Sequence, residues 1–62
     1  MKTWYCVVTT VTDRYTTANI VDQTTADEPP ASDFRSTSRT DIYIDWFDKT
    51  EVKRYIKEAA AL

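Results

Sequence analysis

The chain contains no glycine and no histidine, and only one cysteine and two prolines in 62 residues. Each shortage excludes something. Without glycine there is no phosphate-cradling P-loop and no dinucleotide-binding turn, because both need the backbone to approach a ligand with no side chain in the way. Without histidine the commonest general base is missing, as are H-E-x-x-H zinc helices and the hydrolase triads. Cys6 has no partner for an internal disulfide and no imidazole to activate it. In the middle of an apolar stretch it reads as a small buried residue rather than a nucleophile. A structural zinc site lacks its ligands for the same reasons, so no metal and no cofactor is expected.

Long apolar runs are missing too. Nothing approaches the roughly 20 residues that span a bilayer. MKTWYCVVTT is too short, and too broken by threonine, to be the apolar core of a secretory signal. A lone thiol suits the reducing interior of a cell, so the expectation is a soluble, cytoplasmic protein. The formal net charge of −2 argues against a nucleic-acid partner, whose binding rests on cation-rich surfaces. A chain of this size is a single domain, residues 1–62, that buries only about 60 % of the surface its unfolded form exposes. Disulfide and metal being excluded, self-association is the expected source of extra stability, and a homo-oligomer is predicted.

What is present is β-branched and aromatic. Residues 3–12 (TWYCVVTTVT) read as a strand, Asp13-Arg14 as a tight turn, and residues 15–21 (YTTANIV) as the second strand of a hairpin. Residues 22–38 read as a long polar loop broken by Pro29-Pro30, and residues 41–47 (DIYIDWF) as a third strand. Asp48 is a helix N-cap, with Glu51 placed for a capping box and Phe47 and Val52 for a hydrophobic staple. Val52, Tyr55, Ile56, Ala59 and Ala60 then form one buried helical face. The fold class expected is α+β: a three-stranded antiparallel sheet (β-β-β-α) with one C-terminal helix packed on one face. Ile42, Ile44 and Trp46, with Ala18 and Ile20, are placed under the helix. The face bearing Tyr43, Tyr15, Val21, Asn19 and Thr17 is left for a second copy of the chain.

Asp41 and Asp45 share a strand face but stand about 13 Å apart, too far to share a metal or act as a glycosidase pair. The chain therefore reads as a binding protein rather than an enzyme. The segment FRSTSRT, residues 34–40, concentrates two arginines and four hydroxyls in an acidic chain. As a helical turn it places Arg35 and Arg39 roughly 5–6 Å apart, able to fork onto one phosphate. As an extended segment it places them about 13 Å apart, able to straddle two. Ser36, Thr37 and Ser38 supply hydroxyl donors, and Phe34, Tyr43 or Trp4 a ring to stack on a base. The alternative for this segment is a solvated loop whose arginines pair with the nearby acids. Lys49, Lys53 and Lys57 form a cationic stripe that reads as the wet side of the helix, and Asp27, Glu28 and Asp33 an acidic run.

The pattern TANIVD, then ADEPP, then FRSTSRTDIYIDWFD entering a helix resembles short uncharacterised proteins of Firmicute bacteria and their phages. The resemblance implies a context rather than a site: very small oligomeric phage proteins that counter host defence work by binding. Two functions are therefore expected. One is sequestration of an anionic, nucleotide-like signal by the 34–40 segment. The other is occlusion of a host defence enzyme by the acidic run or the exposed tyrosine-bearing sheet face.

Overall fold

The computed structural model describes residues 1–60 and contains four strands and one helix. β1 (Lys2–Thr12) and β2 (Thr16–Ala26) form a long hairpin; β3 (Asp33–Thr37) and β4 (Thr40–Phe47) form a short one; α1 (Lys49–Ala60) follows at once. All pairings are antiparallel, and the order across the sheet is β2-β1-β4-β3. The protein is thus α+β with an antiparallel sheet and one C-terminal helix, but the sheet has four strands where three were expected. The fourth comes out of the supposed loop at 22–38. Residues 22–26 prolong β2 and residues 33–37 form β3, so only residues 27–32 remain as a connection.

A bulge hides the end of β2. Cys6 pairs with Asp22 but Val7 pairs with Ile20, so Val21 is an extra residue in β2. Such an insertion shifts the in–out alternation by one. Thr16, Ala18 and Ile20 consequently share a face with Gln23 and Thr25, whose partners on β1 are also odd-numbered.

Both hairpins close without glycine. The Thr12 N–H donates to the Tyr15 carbonyl at 2.9 Å, and the Thr12 hydroxyl accepts from the amides of Arg14 and Tyr15 at 3.2 and 3.1 Å. A side-chain oxygen here does the work of a backbone acceptor. The second turn is Ser38-Arg39, bracketed by the pair Thr37 and Thr40. No described residue has positive φ. Neither turn is therefore of the primed type that favours glycine.

The helix begins where its cap predicts. Asp48 Oδ1 accepts the Glu51 N–H at 2.8 Å, and the Val52 N–H donates to the Asp48 carbonyl at 2.9 Å. Val52 and Ala59 are buried and Tyr55 and Ile56 half-buried, as the spacing requires; the Ala60 side chain lies outside the described ones.

The helix covers the face opposite to the one expected. Tyr55 and Thr9 share a hydrogen bond of 2.6 Å between their hydroxyls, and Tyr55 stacks on Phe47 with ring centroids 4.6 Å apart. Thr9 pairs with Tyr43 and Ala18, and Val7 with Asp45 and Ile20. The covered face therefore carries Tyr5, Val7, Thr9, Tyr43 and Phe47. Ala18 and Ile20 do lie on the helix side as expected, but Ile42, Ile44 and Trp46 lie on the other, with Trp4, Cys6 and Val8. Both isoleucine and tyrosine sets of β4 are apolar enough to bury, so the alternation of IYI leaves the side undecided. Val7, at 0 % exposure, is the centre of the core.

The far face is not bare. β2 and β3 are the two outer strands, so residues 27–32 must carry the chain from one edge of the sheet to the other. Ala26 is level with Lys2, whereas Asp33 is level with Ile44 and so with Val8. In a flat sheet those ends are about 24 Å apart, close to the roughly 23–25 Å that this length of chain can reach when extended. The connection is a taut strap, with the φ angles of Pro29 and Pro30 held by their rings. The face away from α1 is closed at its centre. Trp4 and Cys6 on that face are only 7 % and 5 % exposed. The Trp4 indole N–H donates to the Ala26 carbonyl at 3.0 Å, and the Lys2 ammonium stands 5.1 Å from its ring centroid.

Two expectations follow. Tyr55→Phe strands the buried Thr9 hydroxyl and lowers stability by about 1 kcal/mol, a fall in melting temperature of roughly 4–8 °C for a domain of this size. Thr9→Val together with Tyr55→Phe removes both polar groups and recovers most of that loss. A double variant no better than the single one in thermal melts would contradict this account. The second concerns acid. The Glu51 amide chiefly, with Lys2 assisting at 3.6 Å, holds the Asp48 carboxyl below its ordinary value of 3.8. A carboxyl depressed on folding stabilises the fold above pH 3.8 and loses that contribution as pH falls through its lower folded-state value. Asp48→Asn therefore melts below the parent at pH 7, and the gap closes as pH falls through that lower folded-state value.

Candidate binding surface

The segment FRSTSRT is neither a loop nor a helical turn; it is most of the β3–β4 hairpin. Its register distributes the residues that the sequence groups together. Phe34 pairs with Tyr43 and Ser36 with Asp41, all on the face that carries α1. Arg35 pairs with Ile42 and Thr37 with Thr40, on the opposite face, while Ser38 and Arg39 form the tip. The sheet thus brings Phe34, Ser36 and Tyr43 together and separates them from Arg35 and Thr37. Trp4 shares the face of Arg35 but belongs to β1, two strands away. Several of the expected donors are already engaged within the chain. Arg35 Nε lies 3.6 Å from Asp33 Oδ2, and the Ser36 hydroxyl donates to Asp41 Oδ1 at 2.8 Å.

The helix is set off to one side of its face. It lies over β1 and β2, touches β4 lightly and, among the described residues, makes no packing contact with β3. The β4–β3 half of the same face is therefore left open. On it Phe34 and Tyr43 form an aromatic ledge, with ring centroids 4.9 Å apart, planes tilted by 45°, and exposures of 53 % and 39 %. An aromatic pair held this close is already ordered, so a ligand that covers it loses little side-chain entropy in doing so.

The helix flank forms a wall beside this floor. Phe47, Glu51, Arg54, Tyr55 and Glu58 line an open pocket of about 280 Å³ between the helix and β4. Asp41 and Asp45 stand on the floor, flanking Tyr43 on the same strand face. Four carboxylates thus border the groove against the single guanidinium of Arg54. At 100° per residue, Lys53 and Lys57 project from the opposite flank of α1. The helix is acidic toward the groove and basic away from it.

Sequence reasoning named Tyr43 and Phe34 but missed Phe47, Tyr55, Glu51 and Glu58 as a wall. Nothing in the spacing marks them, because the wall exists only once α1 is laid beside β4. The remaining titratable features bind nothing in the structure. Burial pushes the Cys6 thiol up, and the charges of Asp22 and Asp45 push it further, so it stays protonated. Among the described residues no three metal-ligating side chains gather, and no helix is long and apolar enough to cross a membrane. A second open pocket, of about 430 Å³, lies at the start of α1 among Lys2, Thr3, Tyr5, Asp48, Lys49 and Thr50. Lys2 is paired there with Asp48, which leaves Lys49 as the unbalanced charge of its lining. No family model, no curated protein and no solved structure matches this chain.

Proposed function

We propose that the protein is a non-enzymatic binding protein that takes a basic segment of a protein partner along the groove between α1 and the open half of the sheet. The observation that carries this reading is the Phe34–Tyr43 ledge, left half-exposed by the offset helix and bordered by Asp41, Asp45, Glu51 and Glu58. Exposed, preordered aromatic rings are the usual anchors of protein interfaces, and covering the exposed half of each is worth roughly 1 kcal/mol. The carboxylates around them favour cationic neighbours and repel anionic ones. This supports occlusion of a partner over capture of a nucleotide, but not through the face expected from sequence: Tyr43 lies on the α1 side, whereas Thr17 and Asn19 lie on the other. For an anionic ligand the guanidinium of Arg35 would need a stacking ring beside it, but the register puts Phe34 and Tyr43 on the other face, and Trp4 on its own face is 7 % exposed and two strands away.

The test uses a displayed library of random 12-residue peptides, with a panel of nucleotides as the opposing probe. Enriched peptides are expected to combine lysine or arginine with an aromatic or aliphatic residue. Tyr43→Ala should weaken the best of them by about 10- to 100-fold, while Tyr43→Phe retains most of the affinity. Neutralising Asp27 and Glu28, which lie on the strap, should change little. Enrichment of acidic peptides, or nucleotide binding that survives Tyr43→Ala, would overturn the reading.

A further inference from the structure

We propose that β3 is a dimerisation edge, through which two copies of the chain join antiparallel about a two-fold axis at Phe34 to make one eight-stranded sheet. The inference goes beyond the groove's function and does not depend on what the groove binds.

The phase of the backbone hydrogen bonds identifies the groups that face outward. In an antiparallel ladder a residue turns both its N–H and its C=O to one side, and successive residues alternate. The Thr12 N–H donates to Tyr15 on the β2 side. Even-numbered residues of β1 therefore bond toward β2, and odd-numbered ones toward β4. Carried through the two registers, Asp41, Tyr43, Asp45 and Phe47 bond toward β1, while Ile42 and Ile44 bond toward Arg35 and Asp33 of β3. The N–H and C=O of Phe34 and Ser36 consequently point outward from the edge of the sheet, where the Phe34 N–H is held by Asp33 Oδ1 at 2.8 Å and the Phe34 carbonyl faces outward.

Of the usual safeguards against strand addition this edge has its five-residue length and two charges, and lacks the rest. β3 contains no proline, no lysine and no bulge, and every residue in it is exposed. The other edge, β2, is interrupted by its bulge at Val21. What β3 does carry is a pair of opposite charges two residues apart, Asp33 and Arg35. With the two-fold axis at Phe34, Asp33 faces the partner's Arg35 and Arg35 faces the partner's Asp33. Phe34 meets its own copy in a pair whose amides and carbonyls face each other, each amide exchanging its own Asp33 carboxylate for a carbonyl as Asp33 turns to the partner's Arg35. Centring the axis on Arg35 would set two guanidiniums opposite each other, which is unfavourable. Centring it on Ser36 would place Arg35 opposite Thr37 and Asp33 level with the partner's Arg39, which lies in the turn beyond the strand. The edge is complementary to itself in one register only.

An axis perpendicular to the sheet keeps both helices on the same side. The two Phe34–Tyr43 ledges then merge into one floor of four rings, with the two β4 strands about 14 Å apart. Each α1 walls one side. A groove open at its outer edge in one copy becomes closed in two. Five-residue strands make a small interface, so the dimer should be weak, with Kd on the order of 10 μM.

Sedimentation velocity of the protein alone, from about 1 to 500 μM, reads this directly. The expected result is a monomer that becomes a dimer across that range. Arg35→Asp and Asp33→Arg, each alone, should weaken the dimer about tenfold or more by placing like charges opposite each other. The double exchange, Asp33→Arg with Arg35→Asp, should restore it. Both sites of change are on exposed strand, and circular dichroism melts verify that each variant is folded. A monomer at 500 μM, or a dimer indifferent to both single variants, would overturn the proposal. Because no ligand is present, neither outcome bears on peptide binding in the groove.

Discussion

The contact on which the arrangement depends is that of Tyr55 with Thr9 and Phe47. Phe47 ends β4, and Tyr55 sits two turns into the helix that follows. Stacking of their rings folds α1 back over the strand it has just left. The hydroxyl of Tyr55 then finds that of Thr9, buried in the central strand. Together these contacts select the side of the sheet that is covered and how far the helix shifts toward β2. The proposed binding ledge is a consequence of that shift, since Phe34 and Tyr43 are left open where the helix stops short of them.

A second constraint is the absence of glycine. Hairpins and bulges usually exploit positive φ, which costs glycine little. This chain manages without it. Thr12 uses its hydroxyl as a surrogate acceptor in the first turn, and Ser38-Arg39 make the second in ordinary conformations. The consequence for stability is a sheet held by pairing and by the taut strap at 27–32, with a core small enough that Val7 alone is wholly enclosed. A domain of this size has little surplus stability, which makes association with a second copy or a partner thermodynamically useful.

Much of the fold is legible from local signals. Asp48 and Glu51 mark the start of the helix because capping is a property of adjacent residues, and Val52, Tyr55, Ile56 and Ala59 mark its buried face by periodicity alone. Thr3 to Thr12 declare a strand by composition. The misplacements have equally specific causes. Val21 shifts the alternation of β2, so the polar residues 22–26 look like loop. Residues 33–37 are all exposed, so β3 has no apolar face to betray it, and its turn lacks the glycine or asparagine that would announce a hairpin. For the site, Tyr43 and Phe34 are recognisable as exposed aromatics, whereas the wall of Glu51, Tyr55 and Glu58 is not.

What the sequence by itself determined is therefore the set of interactions that reach no further than a turn: the cap, the first hairpin, the helical face, and the exclusion of chemistries that need glycine or histidine. The tertiary structure decided which face of β4 the helix covers, that FRSTSRT is an edge hairpin, and that its arginine and phenylalanine at 35 and 34 look in opposite directions. The reason is physical. Helix caps and turns are set by neighbours a few residues apart, but the side that a strand presents depends on its register with partners up to 46 residues away, as Thr9 and Tyr55 are.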